Sequence, residues 1–141
     1  MSDKSQNRII IMEDDRFLRD FYKFVFAKVG FHANILEDGD IFFEKLNSEK
    51  YDLILMDLSL KNTYFEGEKV DGVTLSRMVK QNEALKHIPI VLVTAHLVDH
   101  HSKHLFSESL ADDFVIKPIG DVNKFIDKIE KIIELFQHSE N

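Results

Sequence analysis

Acidic and other polar residues stand where the short apolar runs of this chain stop. Arg8-Ile9-Ile10-Ile11-Met12 gives way to Glu13-Asp14-Asp15, Tyr51–Met56 to Asp57, Ile88–Val93 to Thr94-Ala95, and Phe114-Val115-Ile116 to Lys117-Pro118. Taken singly, each is an ordinary strand end, where a polar side chain caps the next helix or turns the chain. Their conjunction carries more. If the first and third runs are neighbours, three carboxylates converge in one crevice and oppose one another's ionisation until a cation compensates them. A hard cation with oxygen ligands does this, and Mg²⁺ usually takes one or two carboxylates, several waters and phosphate oxygens.

The elements that must bring these residues together are written in the hydrophobic pattern. Leu18, Phe21, Tyr22, Val25 and Val29 follow the first run at helical spacing, and Gly30 stops that helix. Ala33-Asn34-Ile35-Leu36 is a more polar strand, expected at or near an edge; Asp38-Gly39 then turns into a helix anchored by Phe42 and Leu46. A third helix carries Val73, Leu75, Met78 and Val79, a weaker one spans about Val98–Leu110, and the last has the cleanest stripe, Phe125, Ile129, Ile132, Ile133 and Phe136. Pro89 fits the start of the fourth strand, where no ladder donor is required. Short apolar strands alternating with helices predict an α/β fold, an open five-stranded parallel sheet covered by helices on both faces. In such sheets ligands bind outside the carboxyl ends of the strands, where the polar residues stand.

Composition narrows the class. The chain has 141 residues, within the ~100–200 of one domain, with 18 Lys+Arg against 25 Asp+Glu and a net charge of −7. The pattern predicts a single domain over 1–141, with a core of about 8–137 and no output domain after it. Zero Cys removes disulfides, thiol nucleophiles and Cys-ligated zinc or iron–sulfur clusters. No uncharged run approaches the ~18 residues of a membrane span. The acidic balance offers none of the basic footprint that phosphate-backbone binding requires. A cytoplasmic protein that binds neither nucleic acid nor membrane is the expectation.

Met12-Glu13-Asp14-Asp15, Leu55-Met56-Asp57-Leu58, Val93-Thr94-Ala95 and Val115-Ile116-Lys117-Pro118, in this order, resemble the receiver domain of bacterial two-component response regulators. The resemblance runs from about Arg8 to Phe136 and implies the flavodoxin-like strand order 2-1-3-4-5. It implies that Asp57 is the phosphoacceptor, with Asp14 and Asp57 on Mg²⁺ or Mn²⁺, Glu13 acting through water and the Ser59 backbone carbonyl completing the protein's share. Lys117 and the Thr94 hydroxyl would take phosphoryl oxygens, and Ala95 would leave room for the incoming group. Lys117-Pro118 resembles the family's cis peptide bond. Thr94 and Phe114 match its switch pair, and His96 and Ser59 match the positions flanking the phosphoryl group. Asp15 falls at a variable position, so it is assigned to the start of a helix. The implied partners are a sensor histidine kinase or histidine phosphotransfer protein upstream and a protein target downstream, with no external substrate. An aspartyl-phosphate hydrolase of the haloacid dehalogenase type needs a second acid two residues after the nucleophile, where this chain has Ser59. A degenerate receiver serving as a scaffold is opposed by the complete acid, Thr and Lys set.

One departure stands out. The family's usual Pro and Met after the phosphoacceptor are absent, and Leu60–Val70 forms a polar connection longer than the ~2–6 residues usual between strand and helix. It is expected on the surface beside the site, shaping partner choice and leaving the chemistry alone. His100, His101 and His104 have helical metal-ligand spacing, but a solvated face is the simpler expectation.

Overall fold

A computed structural model of the chain describes residues 7–95 and 99–139. Strands β1 (Arg8–Met12), β2 (His32–Leu36), β3 (Leu53–Asp57), β6 (Ile90–Thr94) and β7 (Asp113–Ile116) form one sheet in the order β2-β1-β3-β6-β7. Every neighbouring pair in it is parallel. Helices α1 (Arg16–Lys28), α2 (Gly39–Ser48), α3 (Gly72–Lys80), α4 (His100–Ser109) and α5 (Val122–Ser139) complete the alternation. This is the fold expected, with β6 and β7 as the fourth and fifth strands. A small antiparallel hairpin, β4 (Tyr64–Phe65) and β5 (Glu68–Lys69), is added between β3 and α3.

Successive side chains of a strand point to opposite faces, and the core divides accordingly. Ile9, Ile11, Leu53, Leu55, Val91 and Val93 pack with Tyr22, Phe26, Phe125 and Ile129 of α1 and α5. Ile10, Met12, Ile54, Met56, Ile90 and Leu92 pack with Phe42, Leu46, Leu75 and Val79 of α2 and α3. Each such side chain stabilises the fold by roughly 1.5–3 kcal/mol through burial, and the double burial explains why these strands are continuously apolar.

Every helix begins at an aspartate. Asp15, Asp38, Asp71 and Asp99 are N-caps, accepting from the backbone N–H of Leu18, Ile41, Thr74 and Ser102, and Asp121 accepts from the Lys124 N–H. An aspartate cap is worth about 0.5–2 kcal/mol relative to alanine.

Three local expectations change. Val29 is not on the core stripe of α1: it lies at the exposed C-cap, and Phe26, wholly buried, takes the place. The helix ends at Lys28, two residues before Gly30, whose φ of 83° turns the chain away just after the Val29 cap. β6 begins at Ile90, although the Pro89 carbonyl already accepts from the Ile54 N–H at 2.9 Å. The apolar side of α4 rests on half-buried Leu105 and Phe106, with Leu110 in the left-handed region at φ 60° and exposed; Val98 lies outside the described residues.

Candidate functional site

Because β1 and β3 are neighbours in register, with Met12 opposite Met56, the residues that follow them share one rim of the sheet. Glu13 leaves β1 with its N–H on the Leu36 carbonyl at 3.0 Å, which keeps the chain extended. Its side chain is buried; Oε2 accepts from the Asp15 N–H at 3.1 Å, and Oε1 has no hydrogen-bond partner. Burial first, and then neighbouring Asp57, raise the Glu13 carboxyl to about 8. Asp14 Oδ2 accepts from two consecutive backbone amides, Lys61 at 2.7 Å and Asn62 at 2.9 Å. Asp57, 4% exposed, accepts at Oδ1 from the Ser59 N–H at 3.0 Å and from Lys117 Nζ at 3.1 Å. One potential ligand oxygen from each of Glu13, Asp14 and Asp57 lies within 4.8 Å of the others.

Close packing fixes the floor of this site. A Cβ on Gly72 would lie 2.0 Å from the Asp57 carbonyl oxygen, so only glycine lets the first turn of α3 seat against the end of β3. On the other side, Lys117 follows β7, and its N–H donates to the Thr94 carbonyl at 2.8 Å. The Lys117–Pro118 bond is cis, as the resemblance implied. Thr94 is buried at the end of β6, and Ala95 lines an opening of about 460 Å³ with Asp14, Asp57, Ser59 and Lys117. His96 lies outside the described residues. Phe114, on β7, sits away from the rim; its half-buried ring meets Phe106 of α4 edge-on at 5.5 Å, with Lys128 Nζ 5.2 Å from its centroid. Asp15 caps α1, as expected.

Two carboxylates and the Glu13 carboxyl, which burial and Asp57 bias towards its protonated form, therefore share the rim with one ammonium, paired to Asp57. The donor set is all hard oxygen, and the unpartnered Glu13 Oε1 is a buried acceptor awaiting a donor or a cation. These residues suit a divalent oxygen-seeking cation. His100, His101 and His104 are exposed, and His104 pairs with Glu108 at 3.0 Å; among the described residues the acidic trio is the cluster able to hold a metal.

Four features escaped the sequence reading. The amides on Asp14 come from backbone, which leaves no signature in composition. Gly72 beneath Asp57 was visible only as a glycine at a helix start. Lys128 donates to the Phe114 carbonyl at 2.6 Å from fourteen positions downstream. Tyr22 was read as core and is core, yet its buried hydroxyl has no hydrogen-bond partner, and burial together with Glu13 and Asp57 pushes its ionisation far up.

A parallel β2-β1-β3-β6-β7 sheet with an acid trio and a lysine at its carboxyl rim defines a class of doubly wound α/β domains with a cation-binding site at the strand ends. The comparisons make that specific. The response regulator receiver domain family model matches residues 9–130, and the chain belongs to that family. The response regulator ArlR of Staphylococcus saprophyticus is 30% identical over 126 residues, covering 89% of this chain and 52% of that protein. The chain thus spans about half the length of the curated relatives it matches. Among solved structures, the signal receiver domain of a signal transduction histidine kinase from Syntrophus aciditrophicus superposes with a TM-score of 0.79 at 24% identity, covering 92% of this chain and 91% of that one. The receiver domain of sensor histidine kinase PA1611 from Pseudomonas aeruginosa, solved with a magnesium ion coordinated in its active site cleft, gives 0.77 at 20% identity over 91% and 98%. Membership favours the receiver over the hydrolase alternative, and the complete acid, Thr and Lys set opposes the scaffold alternative. Among the described residues no helix is long and apolar enough to cross a membrane.

Proposed function

We propose that Asp57 accepts a phosphoryl group from a phosphohistidine on a partner protein, a sensor histidine kinase or histidine phosphotransfer protein, and that the core of about 8–137 then signals to a protein target by contact. The observation that carries this reading is the setting of Asp57: buried, oriented through Oδ1 by the Ser59 N–H and Lys117, and within 4.8 Å of the Glu13 and Asp14 oxygens. Asp14, Asp57, Glu13 through water and the Ser59 carbonyl would hold Mg²⁺ or Mn²⁺, which supplies charge neutralisation at the phosphoryl oxygens.

The chain's own groups do the rest. An Asp57 carboxylate oxygen forms the new O–P bond as the P–N bond to the partner imidazole breaks, and the departing ring nitrogen takes up a proton. Phosphoryl transfer depends on positioning and on spreading charge more than on nucleophile strength, so the Ser59 N–H holds the carboxylate while Lys117 passes from Asp57 to a phosphoryl oxygen. Thr94 supplies a hydroxyl to another, and Ala95 leaves the approach open. Thr94 and Phe114 form the switch, Phe114 linking β7 to α4 through Phe106. The protein acts in the cytoplasm, turns over no external substrate, and has proteins as its partners. Acetyl phosphate with Mg²⁺ is expected to add one phosphoryl group by intact mass, and Asp57→Asn to add none; equal labelling of the variant would overturn the assignment.

A further inference from the structure

The Leu60–Val70 segment lies at the surface beside the site, and it also touches the site directly. Its first residues donate the two amides on Asp14, Lys61 at 2.7 Å and Asn62 at 2.9 Å. Beyond them the segment is an ordered hairpin with Tyr64 opposite Lys69 and Phe65 opposite Glu68. Glu66 and Gly67 turn it with φ of 50° and 81°, the two positive values that a tight hairpin turn requires. Val70 N–H closes the neck on the Thr63 carbonyl at 2.9 Å, and Thr63 is fully buried.

The far end is clasped to α2. The Phe65 ring lies 5.0 Å from Phe43, and the Glu66 N–H reaches both oxygens of Asp40 at 3.2 and 3.3 Å. A Cβ on Gly39 would come within 2.6 Å of the Tyr64 carbonyl oxygen, so backbone meets backbone with no slack. The hairpin is thus fixed at its root to a carboxylate of the acidic trio and at its tip to the first turns of α2.

Two N–H donors on one carboxylate oxygen fill its acceptor sites and fix the rotation of the side chain. Asp14 is left with Oδ1 as the oxygen to offer a cation. We propose that the hairpin is a positioning element for the cation site: its root amides set the orientation of Asp14, and occupancy of the acidic trio is felt along the hairpin as far as α2. This rests on the reading that Glu13, Asp14 and Asp57 take a divalent cation. The coupling is reciprocal by linkage: whatever the hairpin does to cation affinity, the cation does to the hairpin.

The test is Mg²⁺ titration of the full chain, by calorimetry and amide NMR, with three variants. Asn62→Pro deletes one of the two N–H donors, whereas Asn62→Ala keeps it. A charge-assisted hydrogen bond of this kind supports an expected loss in Mg²⁺ affinity of about tenfold for Asn62→Pro, with Asn62→Ala binding like the parent. In the parent, Mg²⁺ is expected to shift the amides of Tyr64–Lys69 and the first turn of α2 together with those of Lys61 and Asn62. Asp40→Ala, which releases the tip without touching the site, is expected to remove the α2 response and to weaken Mg²⁺ binding about twofold. If Asn62→Pro does not fold, Asp40→Ala decides. Site amides that shift while Tyr64–Lys69 stay still, equal losses in Asn62→Pro and Asn62→Ala, or Asp40→Ala behaving as the parent in both readouts would each overturn the inference and leave the cation reading standing. No Mg²⁺ binding by the parent would overturn both.

Discussion

At the amino-terminal ends of the strands Lys80 Nζ pairs with Asp112 at 2.7 Å and also donates to the Lys86 and Ile88 carbonyls. Nearby, Tyr51 Oη donates to Glu49 at 2.7 Å and Arg8 pairs with the same Glu49 at 3.3 Å. At the carboxyl ends, Glu13, Asp14 and Asp57 share one lysine, and a Glu13 oxygen and the Tyr22 hydroxyl are buried without partners. The same residue type titrates oppositely at the two ends. The Tyr51 hydroxyl holds Glu49 below the usual carboxylate range, whereas burial and Asp57 raise Glu13 to about 8. Charge matched in place fastens a fold; charge left in excess is a binding site that awaits its ligand.

Exchanging one lysine at each end is the sharpest way to break that contrast. Lys117→Met is expected to slow acetyl-phosphate labelling about 100-fold, in line with the loss of a preorganised charge at the reacting group. Lys80→Met is expected to leave labelling unchanged and to cost about 1–2 kcal/mol in urea unfolding, because Asp112 keeps the Ile90 N–H at 2.8 Å but loses its ion pair, and the Lys86 and Ile88 carbonyls lose a donor. Similar outcomes for the two variants would erase the distinction. Next in size is Gly72→Ala, where a methyl at 2.0 Å from the Asp57 carbonyl oxygen must push α3 away from β3. A destabilisation of about 1–3 kcal/mol is expected, with slower labelling in the variant that remains folded.

Asp14 and Asp15 sharpen the comparison within a single rim. Asp15→Ala is expected to cost about 1 kcal/mol as a lost helix cap while keeping Mg²⁺ affinity in calorimetry, and Asp14→Ala to lose that affinity. Equal affinity losses would move the ligand assignment by one residue. The pH response tests the same rim without a substitution. Glu13 has its folded carboxyl near 8 against 4.5 in its ordinary state, so the folded protein holds the extra proton between those values. Its contribution to stability is complete below about 4.5 and is lost as pH rises through 8. Thermal melts in chelator should therefore fall from pH 5 to pH 9, with Glu13→Gln flattening the slope; a melting point that rises over this interval would contradict the assignment.

Much of this arrangement was legible from residue order. Runs such as Ile9-Ile10-Ile11 are buried on both faces, so their identity as inner strands needs no tertiary information, and the acids that end them mark the rim. The rest depends on contacts that composition does not encode. Two-residue strands such as Tyr64–Phe65 have too little periodicity to register, and Glu66 takes a left-handed conformation that its residue type does not announce. Val29 fits a helical stripe by spacing, but spacing cannot tell where a helix stops by a single residue. The amides on Asp14 belong to whichever residues occupy positions 61 and 62.

The neck of the hairpin has a consequence for how such a chain can be altered. Thr63 and Val70 are joined by a backbone hydrogen bond of 2.9 Å, so the ends of the intervening segment already meet. A segment with coincident ends is a cassette: it can be shortened, exchanged or grafted at little closure entropy, since that term grows only slowly with loop length. The amides that face Asp14 lie outside the cassette, on the stem. Replacing Tyr64–Lys69 therefore costs little at the neck, and what a replacement must rebuild is the clasp of its tip on Asp40 and Phe43 of α2.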